Sequence, residues 1–235
     1  MLTKHESQGV TWYSFAPLDE LGFLANWVTT SSNGFDLARS NDPGAPQENL
    51  ALANRIFAGG RKIYLPIQEH GTRTREVTSD SETPTAADAV ILKKPFAPAG
   101  VLTADCLPII LADPAGKVAA VVHAGRKGIF QGIIGRTITG MKSQNLVAAL
   151  GPAIRNCCYE VGEEVFEGGF EGFKKYYANG RLDLIKAALE QLVSAGVAPG
   201  DVHDCGICTS CNGEFYSHRR EKGNAGRFMT GAMIL

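Results

Sequence analysis

The sequence predicts a mixed α/β (α+β) fold in which β-sheets are layered with helices. Two continuous apolar runs, residues 107–112 and 118–122, indicate buried strands joined by a short turn. Residues 181–195 place apolar side chains at helical spacing and are followed by Gly196, which is typical of an amphipathic helix. The chain has 235 residues, 44% of them hydrophobic, and shows no internal repeat, so we expect a single domain over residues 1–235.

The segment before the first apolar run is predicted to hold one helix and two strands. Residues 46–57 place apolar side chains on one helical face and are followed by two glycines, which commonly end a helix. Residues 62–67 indicate a strand that leads into a glycine turn, so His70 is expected at a strand end. Residues 78–87 are polar and rich in turn formers, which favours a surface loop before a short strand at 88–92.

Cys106 and His123 are expected to become neighbours through the predicted hairpin. Cys106 comes immediately before the first apolar run, and His123 comes immediately after the second. A hairpin places the start of its first strand beside the end of its second. The sequence therefore predicts that this thiol and this imidazole meet at one edge of a sheet.

The remaining elements of the second half are a helix and a strand. Residues 129–141 combine apolar side chains with interspersed glycines, which favours a helix packed closely on a sheet. Residues 146–150 indicate another short strand. Strands and helices are thus mixed along the whole chain.

Charge and composition exclude several classes of partner. Lys and Arg number 23 against 24 Asp and Glu, so the formal charge of -1 gives no general attraction for nucleic acid or an anionic membrane. No apolar run approaches the roughly 18 residues of a membrane span. We expect a cytoplasmic protein that is a monomer or a weak homo-oligomer, with its six cysteines reduced.

His70, Cys106 and His123 are the candidate metal ligands. Two imidazoles and one thiolate form the ligand set of a catalytic zinc site with one position left open. A lone buried histidine or cysteine is more often a core residue, and the spacing is not a local zinc signature. The same Cys106 and His123 also suit a cysteine-hydrolase dyad, with Asp105 or Gln68 orienting the imidazole.

Two basic segments are candidates for binding an anion. Arg126 and Lys127 stand in a glycine-framed turn before a predicted helix, where exposed amides and two cations suit phosphate or carboxylate. Arg219 and Arg220 form the second pair. Either pair is also compatible with a solvated surface.

Three cysteines near the C-terminus, Cys205, Cys208 and Cys211, stand at three-residue spacing. Such spacing often marks a structural zinc or an iron–sulfur ligand set. The second half of a zinc ribbon is missing from the sequence pattern. We therefore predict that Cys208 and Cys211 are reduced and metal-free, with one metal in the whole chain.

Six segments carry a family resemblance. They are NLALANR at 49–55, QEHG at 68–71, Asp88 with TADCLPIIL at 103–111, VHAGRKG at 122–128, LGPAIRNCCYEVG at 150–162, and Cys208-Thr209 with 217–220 and Gly226-Arg227. Together they resemble the laccase-domain family, also called multicopper polyphenol oxidoreductase or YfiH-like, whose members are described as purine nucleoside phosphorylases. The likeness runs over most of the chain.

The resemblance implies a layered α/β fold and a single zinc held by His70, Cys106 and His123, which would also be the catalytic residues. It implies phosphorolysis of adenosine, inosine and methylthioadenosine, with adenosine deamination as a second reaction. Copper is the less favoured metal. The residues expected to bind nucleoside or phosphate are Asn49, Arg55, Gln68, Lys127, Arg219 and Arg220. With phosphate as the implied co-substrate, we predict that phosphate and nucleoside share a pocket whose cationic wall includes Lys127 and at least one of Arg219 and Arg220. The alternatives are a cysteine or zinc hydrolase that edits peptidoglycan precursors, a copper-dependent polyphenol oxidase, and a non-catalytic protein with structural zinc.

The chain departs from the family pattern at a few positions. The turn usually written HAGWRG is HAGRKG here, so Arg126 replaces an aromatic residue and Lys127 replaces an arginine. Glu69 stands where the family is usually apolar, and it invites comparison with the proton-shuttling glutamate of zinc deaminases. Residues 28–32 lack the usual Arg-x-Gly-Gly pattern, and Cys211 is an addition. Lysine offers a point charge where arginine offers a planar fork, so looser phosphate binding is expected.

Overall fold

Two β-sheets packed face to face form the centre of the protein. The computed structural model describes residues 2–38 and 45–235. The five-stranded sheet has the order β1-β2-β3-β13-β6, and the six-stranded sheet has the order β12-β9-β7-β8-β5-β4. A small two-stranded sheet pairs β10 with β11.

The strands of the five-stranded sheet are β1 (Leu2–Ser7), β2 (Val10–Phe15), β3 (Leu24–Thr29), β6 (Ala99–Thr103) and β13 (Phe228–Ile234). Those of the six-stranded sheet are β4 (Thr74–Val77), β5 (Ala89–Leu92), β7 (Leu107–Asp113), β8 (Val118–Ala124), β9 (Val147–Leu150) and β12 (Val202–Asp204). The remaining two are β10 (Tyr177–Ala178) and β11 (Arg181–Leu182). The helices are α1 (Ala16–Asp19), α2 (Ala45–Ala58), α3 (Arg126–Phe130), α4 (Ile133–Met141) and α5 (Leu184–Ser194).

Helices cover the outer faces of both sheets, which gives four layers. In β7, Ile109 and Leu111 belong to the core shared with α3, α4 and α5, whereas Ile110 belongs to the core between the two sheets. Both faces of this strand are therefore buried, which explains why its sequence is continuously apolar. On the other side, Phe57 of α2 stacks on Trp27 of the five-stranded sheet, with ring centroids 5.3 Å apart. The predicted mixed fold of sheets and helices is confirmed.

The predicted hairpin is confirmed as β7 and β8, which pair antiparallel with Pro108 opposite His123. The helix at 46–57 corresponds to α2, and the short strands at 88–92 and 146–150 correspond to β5 and β9. Each of these elements has a strong apolar pattern of its own.

Three predicted elements differ from the structure. The helix expected at 129–141 is divided into α3 and α4, because Gly132 adopts a left-handed conformation (φ 83°) that interrupts it. The segment 62–67 is extended but makes only single bridges, at Tyr64 and Ile67, so it is no regular strand. The helix expected at 181–195 begins at Leu184, since Asp183 caps it by accepting the backbone N–H of Lys186.

One edge of the six-stranded sheet collects the residues that carry chemistry. Because β8 and β9 run antiparallel to β7, the ends of β8 and β9 meet the start of β7. The start of β5 joins this edge through its antiparallel pairing with β8, and the end of β12 joins it through its parallel pairing with β9. None of the helices in the described residues combines the length and hydrophobicity that a membrane crossing requires.

The close contact between Gly231 and Trp27 yields a test of the packing. A Cβ atom on Gly231 would lie 2.5 Å from ring atoms of the buried Trp27, so Gly231→Ala should lower the free energy of unfolding by about 1–3 kcal/mol. Gly135 in α4 has nothing within 4 Å of the same position. Gly135→Ala should therefore raise stability by roughly 0.5–1 kcal/mol through helix propensity. Thermal denaturation of both variants tests whether the two changes in the free energy of unfolding have opposite signs. A Gly231→Ala variant as stable as the wild type would contradict the close contact between Gly231 and Trp27.

Candidate metal centre and cleft

The structure brings His70, Cys106 and His123 together. One ligand atom from each lies within 4.8 Å of the other two. The His70 and His123 rings meet edge to face, with centroids 4.7 Å apart. His123 is buried, Cys106 is half-buried and His70 is exposed, so the group can be reached from solvent on the His70 side.

Local backbone geometry explains this convergence. Cys106 immediately precedes β7, and Leu107 pairs with Ala124, which places the thiol next to the end of β8. His70 has a left-handed conformation (φ 59°) in the turn before β4. Gly125 lies directly against the group. A Cβ atom at this position would lie 3.1 Å from His70 Cδ2 and 3.2 Å from Cys106 Sγ. A side chain at this position would push the candidate ligands apart.

Asp88, at the start of β5, holds both histidines. Its Oδ1 accepts hydrogen bonds from His123 Nδ1 at 2.8 Å and from the backbone N–H of His70 at 2.9 Å. Its Oδ2 accepts from the backbone N–H of Gly71 at 2.7 Å and of Glu69 at 3.3 Å. Because a carboxylate only accepts, Nδ1 of His123 carries the proton and Nε2 is left as the donor atom for a metal.

The electrostatics of the group favour a cation. Burial raises the pKa of Asp88, but hydrogen bonds from His123, Gly71 and Glu69 outweigh it, and the pKa lies below its usual value. Burial likewise raises the pKa of the Cys106 thiol, but His123 and His70 lower it to about 6. Burial lowers the pKa of His123, whereas Cys106 and Asp88 raise it to about 9. Without a metal, the thiolate therefore faces an imidazolium, whose proton a divalent cation would replace.

The donor set fits a metal ion. Two imidazole nitrogens and one thiolate suit zinc with an open fourth position, and the same three ligands also suit copper. The carboxylate bound to the far nitrogen of His123 is the usual outer partner of a metal-bound histidine. Both the donor chemistry and the absence of a side chain at Gly125 are thus compatible with a bound ion.

The group lies in a cleft of about 700 Å³, which is within the range of small-molecule sites. In the part of the chain that the structure describes, three arginines line it together with the candidate ligands: Arg126, Arg219 and Arg227. Arg126 Nη1 contacts the Val165 carbonyl at 3.4 Å, and Arg219 donates to the carbonyls of Cys158 and Glu160. Among the described residues, no carboxylate lies within ion-pair distance of these three guanidinium groups. The positive charges of these three groups are therefore not neutralised by ion pairs with the described residues.

The structure places Lys127 and Arg220 away from this cleft. Lys127 is exposed and does not line it; the neighbouring Arg126 does, because consecutive residues of a helix point in different directions. Arg220 instead donates to the backbone carbonyls of Thr209, Asn212 and Phe215 and pairs with Glu221. Of the basic residues expected in the phosphate wall, only Arg219 lies there.

The expected nucleoside-binding residues are also divided. Gln68 lines the cleft, but its side-chain amide is paired with the backbone N–H and carbonyl of Leu102, both at 2.8 Å. Asn49 and Arg55 lie on α2 and do not line the cleft; Asn49 donates to the Asp36 carbonyl, and Arg55 is exposed. These two positions therefore have no contact with the candidate metal group.

The structure gives Asp88, Asp105 and Glu69 roles that differ from those expected from the sequence. Asp88, not Asp105 or Gln68, orients the His123 imidazole. Asp105 instead accepts the Thr209 hydroxyl at 2.6 Å and the backbone N–H of Arg219 at 2.7 Å, and so positions Arg219. The Glu69 carboxylate is exposed and pairs with Arg73 at 3.7 Å, away from a shuttle position.

Sequence reasoning also missed Tyr159 and Arg227 as cleft residues. The Arg219 guanidinium lies over the Tyr159 ring, 5.8 Å from its centroid. Both residues lie within segments that resemble the family, and this resemblance is the feature of the sequence from which they could have been predicted.

The chain belongs to the family described as multi-copper polyphenol oxidoreductase laccase, whose match covers residues 27–235. The expected family is thereby confirmed. The matched range contains His70, Cys106 and His123 as well as Arg126, Arg219 and Arg227.

Relatives and solved structures agree with this assignment. A purine nucleoside phosphorylase of Aquifex aeolicus is 38% identical over 192 residues, 80% of this chain and 90% of that protein. Another, from Clostridium acetobutylicum, is 34% identical over 230 residues, 93% of this chain and 94% of that protein. The crystal structure of YlmD from Geobacillus stearothermophilus has the same fold, with a TM-score of 0.84, 23% identity, and coverage of 98% of this chain and 97% of that one.

Asp88 provides the test of the candidate centre. Asp88→Asn removes the charge and replaces one acceptor oxygen by a donor, so the His70 turn and the His123 ring lose their common anchor. We expect metal affinity to fall about 10–100-fold, as found for outer partners of metal ligands. The measurement is a titration of metal-depleted protein with zinc against a chromophoric chelator.

Asp113→Asn is the matched control for this variant. Asp113 is also buried and also accepts backbone N–H groups, from Ala115 and Gly116, but at the other end of β7. It should cost stability and leave metal affinity unchanged. Equal affinities of wild type and Asp88→Asn would contradict the role given to Asp88.

Proposed function

We propose that this protein is a zinc-dependent purine nucleoside phosphorylase that acts on adenosine, inosine and methylthioadenosine. The observation that carries the proposal is the open His70–Cys106–His123 group in an arginine-lined cleft. A metal ligand set beside unpaired cationic groups suits a reaction between a neutral nucleoside and an anionic co-substrate. Similarity to relatives named purine nucleoside phosphorylase supports the same activity.

The arginines define where phosphate would bind. Arg126 and Arg219 present guanidinium groups to the cleft, and a guanidinium binds a phosphate through two parallel hydrogen bonds. Arg219 is held by Asp105 through its backbone and by two carbonyls through its side chain, so its position is set before phosphate arrives. Such preorganisation lowers the cost of binding.

The reaction follows from this arrangement. A phosphate oxygen attacks the sugar C1′, the C1′–N9 bond breaks, and the electron pair of that bond leaves with the purine, which takes up a proton. A bound zinc would supply Lewis acidity toward a substrate oxygen or a water molecule. The protein holds the reactants close together, with His123 fixed by Asp88 and the phosphate fixed by the arginines.

Adenosine deamination is proposed as a second reaction of the same cleft. It needs water at C6 of the purine and a group that moves a proton to the leaving ammonia. Glu69 does not serve as that group because its carboxylate pairs with Arg73 outside the cleft.

A cysteine hydrolase is the second candidate function. Cys106 lies beside His123, which is in turn oriented by Asp88, and this is the order of groups in a nucleophile–base–acid triad. A thiolate bound to zinc is far less nucleophilic, so the two functions exclude each other at one site. Phosphorolysis should be lost on metal removal, whereas a thiol hydrolase should be activated by it.

Copper-dependent polyphenol oxidation is a further alternative, because it follows from the description of the family. The donor set of two histidines and one cysteine does suit copper. Oxygen uptake by copper-loaded protein with a phenol tests it, and we expect none above that of the free metal.

Product analysis tests the proposed function. Purified zinc-loaded protein is incubated with adenosine, inosine or methylthioadenosine, with and without inorganic phosphate. We expect free base and sugar 1-phosphate in equal amounts, and no cleavage when phosphate is omitted. Release of free ribose at the same rate without phosphate identifies a hydrolase and overturns the proposal.

Arg126 and Lys127 give a matched pair of variants for the phosphate site. Arg126→Ala removes a cation that lines the cleft, and the loss of a charge-assisted contact of about 1.5–3 kcal/mol should raise the phosphate KM about 10–100-fold. Lys127→Ala removes an exposed neighbouring cation and should change it less than about two-fold. Initial rates at varied phosphate measure both, with zinc content as the check that the centre is intact. If Lys127→Ala raised the phosphate KM more than Arg126→Ala, phosphate would bind at Lys127, as predicted from the sequence, and not at Arg126.

A further inference from the structure

A second cluster of thiols lies apart from the His70–Cys106–His123 group. The sulfur atoms of Cys157, Cys158, Cys208 and Cys211 all lie within 4.8 Å of one another. The Cys211 sulfur is 3.3 Å from that of Cys158 and 3.8 Å from that of Cys157. The expectation that Cys208 and Cys211 are metal-free depends on the absence of a second ligand pair at zinc-ribbon spacing. The structure places a pair of different spacing, Cys157 and Cys158, against them.

Sheet topology brings the two pairs together. Cys157 and Cys158 follow β9, and Cys208 and Cys211 follow β12, which pairs parallel with β9. The pairing continues past the strand ends: Ala153 forms a parallel bridge with Cys208, and the Thr209 N–H donates to the Ala153 carbonyl at 3.1 Å. The two cysteine pairs are therefore held face to face by backbone hydrogen bonds.

Cys208 is the buried member of the cluster. Its side chain is 8% exposed, Cys158 is partly buried, and Cys157 and Cys211 are exposed. The Cys-x-x-Cys turn is closed by the Cys211 N–H, which donates to the Cys208 carbonyl at 3.2 Å. The four sulfurs are therefore held by an ordered backbone, and an ion can reach them from the side of the two exposed cysteines.

The geometry points to a structural Zn²⁺ bound by the four thiolates of Cys157, Cys158, Cys208 and Cys211. Tetrahedral zinc with Zn–S distances of about 2.3 Å places its sulfur atoms about 3.8 Å apart, which is within the range of separations seen here. On binding, four thiols release four protons and the four sulfurs each donate an electron pair to zinc. No position is left open, so this site is structural rather than catalytic.

Zinc in this cluster would stabilise one wall of the cleft. The Arg219 guanidinium donates to the carbonyl of Cys158 at 3.3 Å and of Glu160 at 2.8 Å, and it lies over the Tyr159 ring. A metal that joins residues 157–158 to residues 208–211 would fix the backbone carbonyls to which Arg219 donates its hydrogen bonds. The site itself does not depend on the reaction proposed for the cleft.

A disulfide between Cys158 and Cys211 is the competing outcome, since their sulfurs are 3.3 Å apart. It would need an oxidant and would remove two of the four ligands. Alkylation of freshly purified, denatured protein under non-reducing conditions distinguishes the two, because a zinc-bound cluster yields six alkylated cysteines and a disulfide yields four.

Metal stoichiometry is the main test. We expect two zinc per chain in the wild type, one in Cys211→Ser, one in Cys106→Ala, and none in the double variant. Cys205→Ala is the matched control, because Cys205 is near in sequence but outside the cluster, and it should retain two. One zinc in the wild type with none in Cys106→Ala would overturn the proposal, as would loss of zinc from Cys205→Ala equal to that from Cys211→Ser.

X-ray absorption of the Cys106→Ala protein isolates the cluster without altering any of its ligands. We expect a shell of four sulfurs at about 2.3 Å and no nitrogen. A shell containing nitrogen or oxygen, or a metal-free protein, contradicts the assignment. Because these readouts are metal content and coordination, they are independent of whether the cleft proves to be a phosphorylase.

Discussion

The buried carboxylate of Asp88 is the interaction on which the candidate centre depends. One side chain accepts four hydrogen bonds, three from the turn at Glu69, His70 and Gly71 and one from the ring of His123. It thereby joins a turn before β4 to a strand that lies two positions away in the sheet. Without Asp88, the turn at His70 would lose the three hydrogen bonds that hold it beside Cys106. The His123 ring would then be free to present either nitrogen to a metal. The geometry of the site is therefore set by a residue that would not itself bind the metal.

The same sheet edge carries both candidate metal-binding groups, and Asp105 lies between them. Its side chain joins Thr209, next to the cysteine cluster, to the backbone of Arg219 in the cleft wall. Its own backbone is in a left-handed conformation (φ 89°) immediately before Cys106. A strained residue of this kind persists only where surrounding contacts hold it. The loops of the cleft are thus tied at two points, Asp88 and Asp105, and the zinc proposed for the cysteine cluster would be a third.

The sequence predicted those features that depend on local patterns. The hairpin that pairs Cys106 with His123 follows from two apolar runs and one turn, and α2 follows from its own periodicity. The choice of Arg126 over Lys127 depends on where α3 begins, since one residue rotates a side chain by about 100°. The second cysteine pair was missed because Cys158 meets Cys211 only through the parallel pairing of β9 with β12, which no local pattern reveals. Asp88 is likewise invisible to local patterns, because it meets His123 only through the antiparallel pairing of β5 with β8.

The central claim is that one metal-dependent cleft transfers the sugar of a purine nucleoside to phosphate. Phosphorus NMR of inosine and inorganic phosphate, with metal-depleted protein and after zinc is restored, tests it most directly. The account predicts that a sugar-phosphate resonance appears only with the restored protein, and that it grows in step with free hypoxanthine. The same rate of sugar-phosphate formation in metal-depleted protein, or cleavage to free ribose with the phosphate signal unchanged, would contradict it.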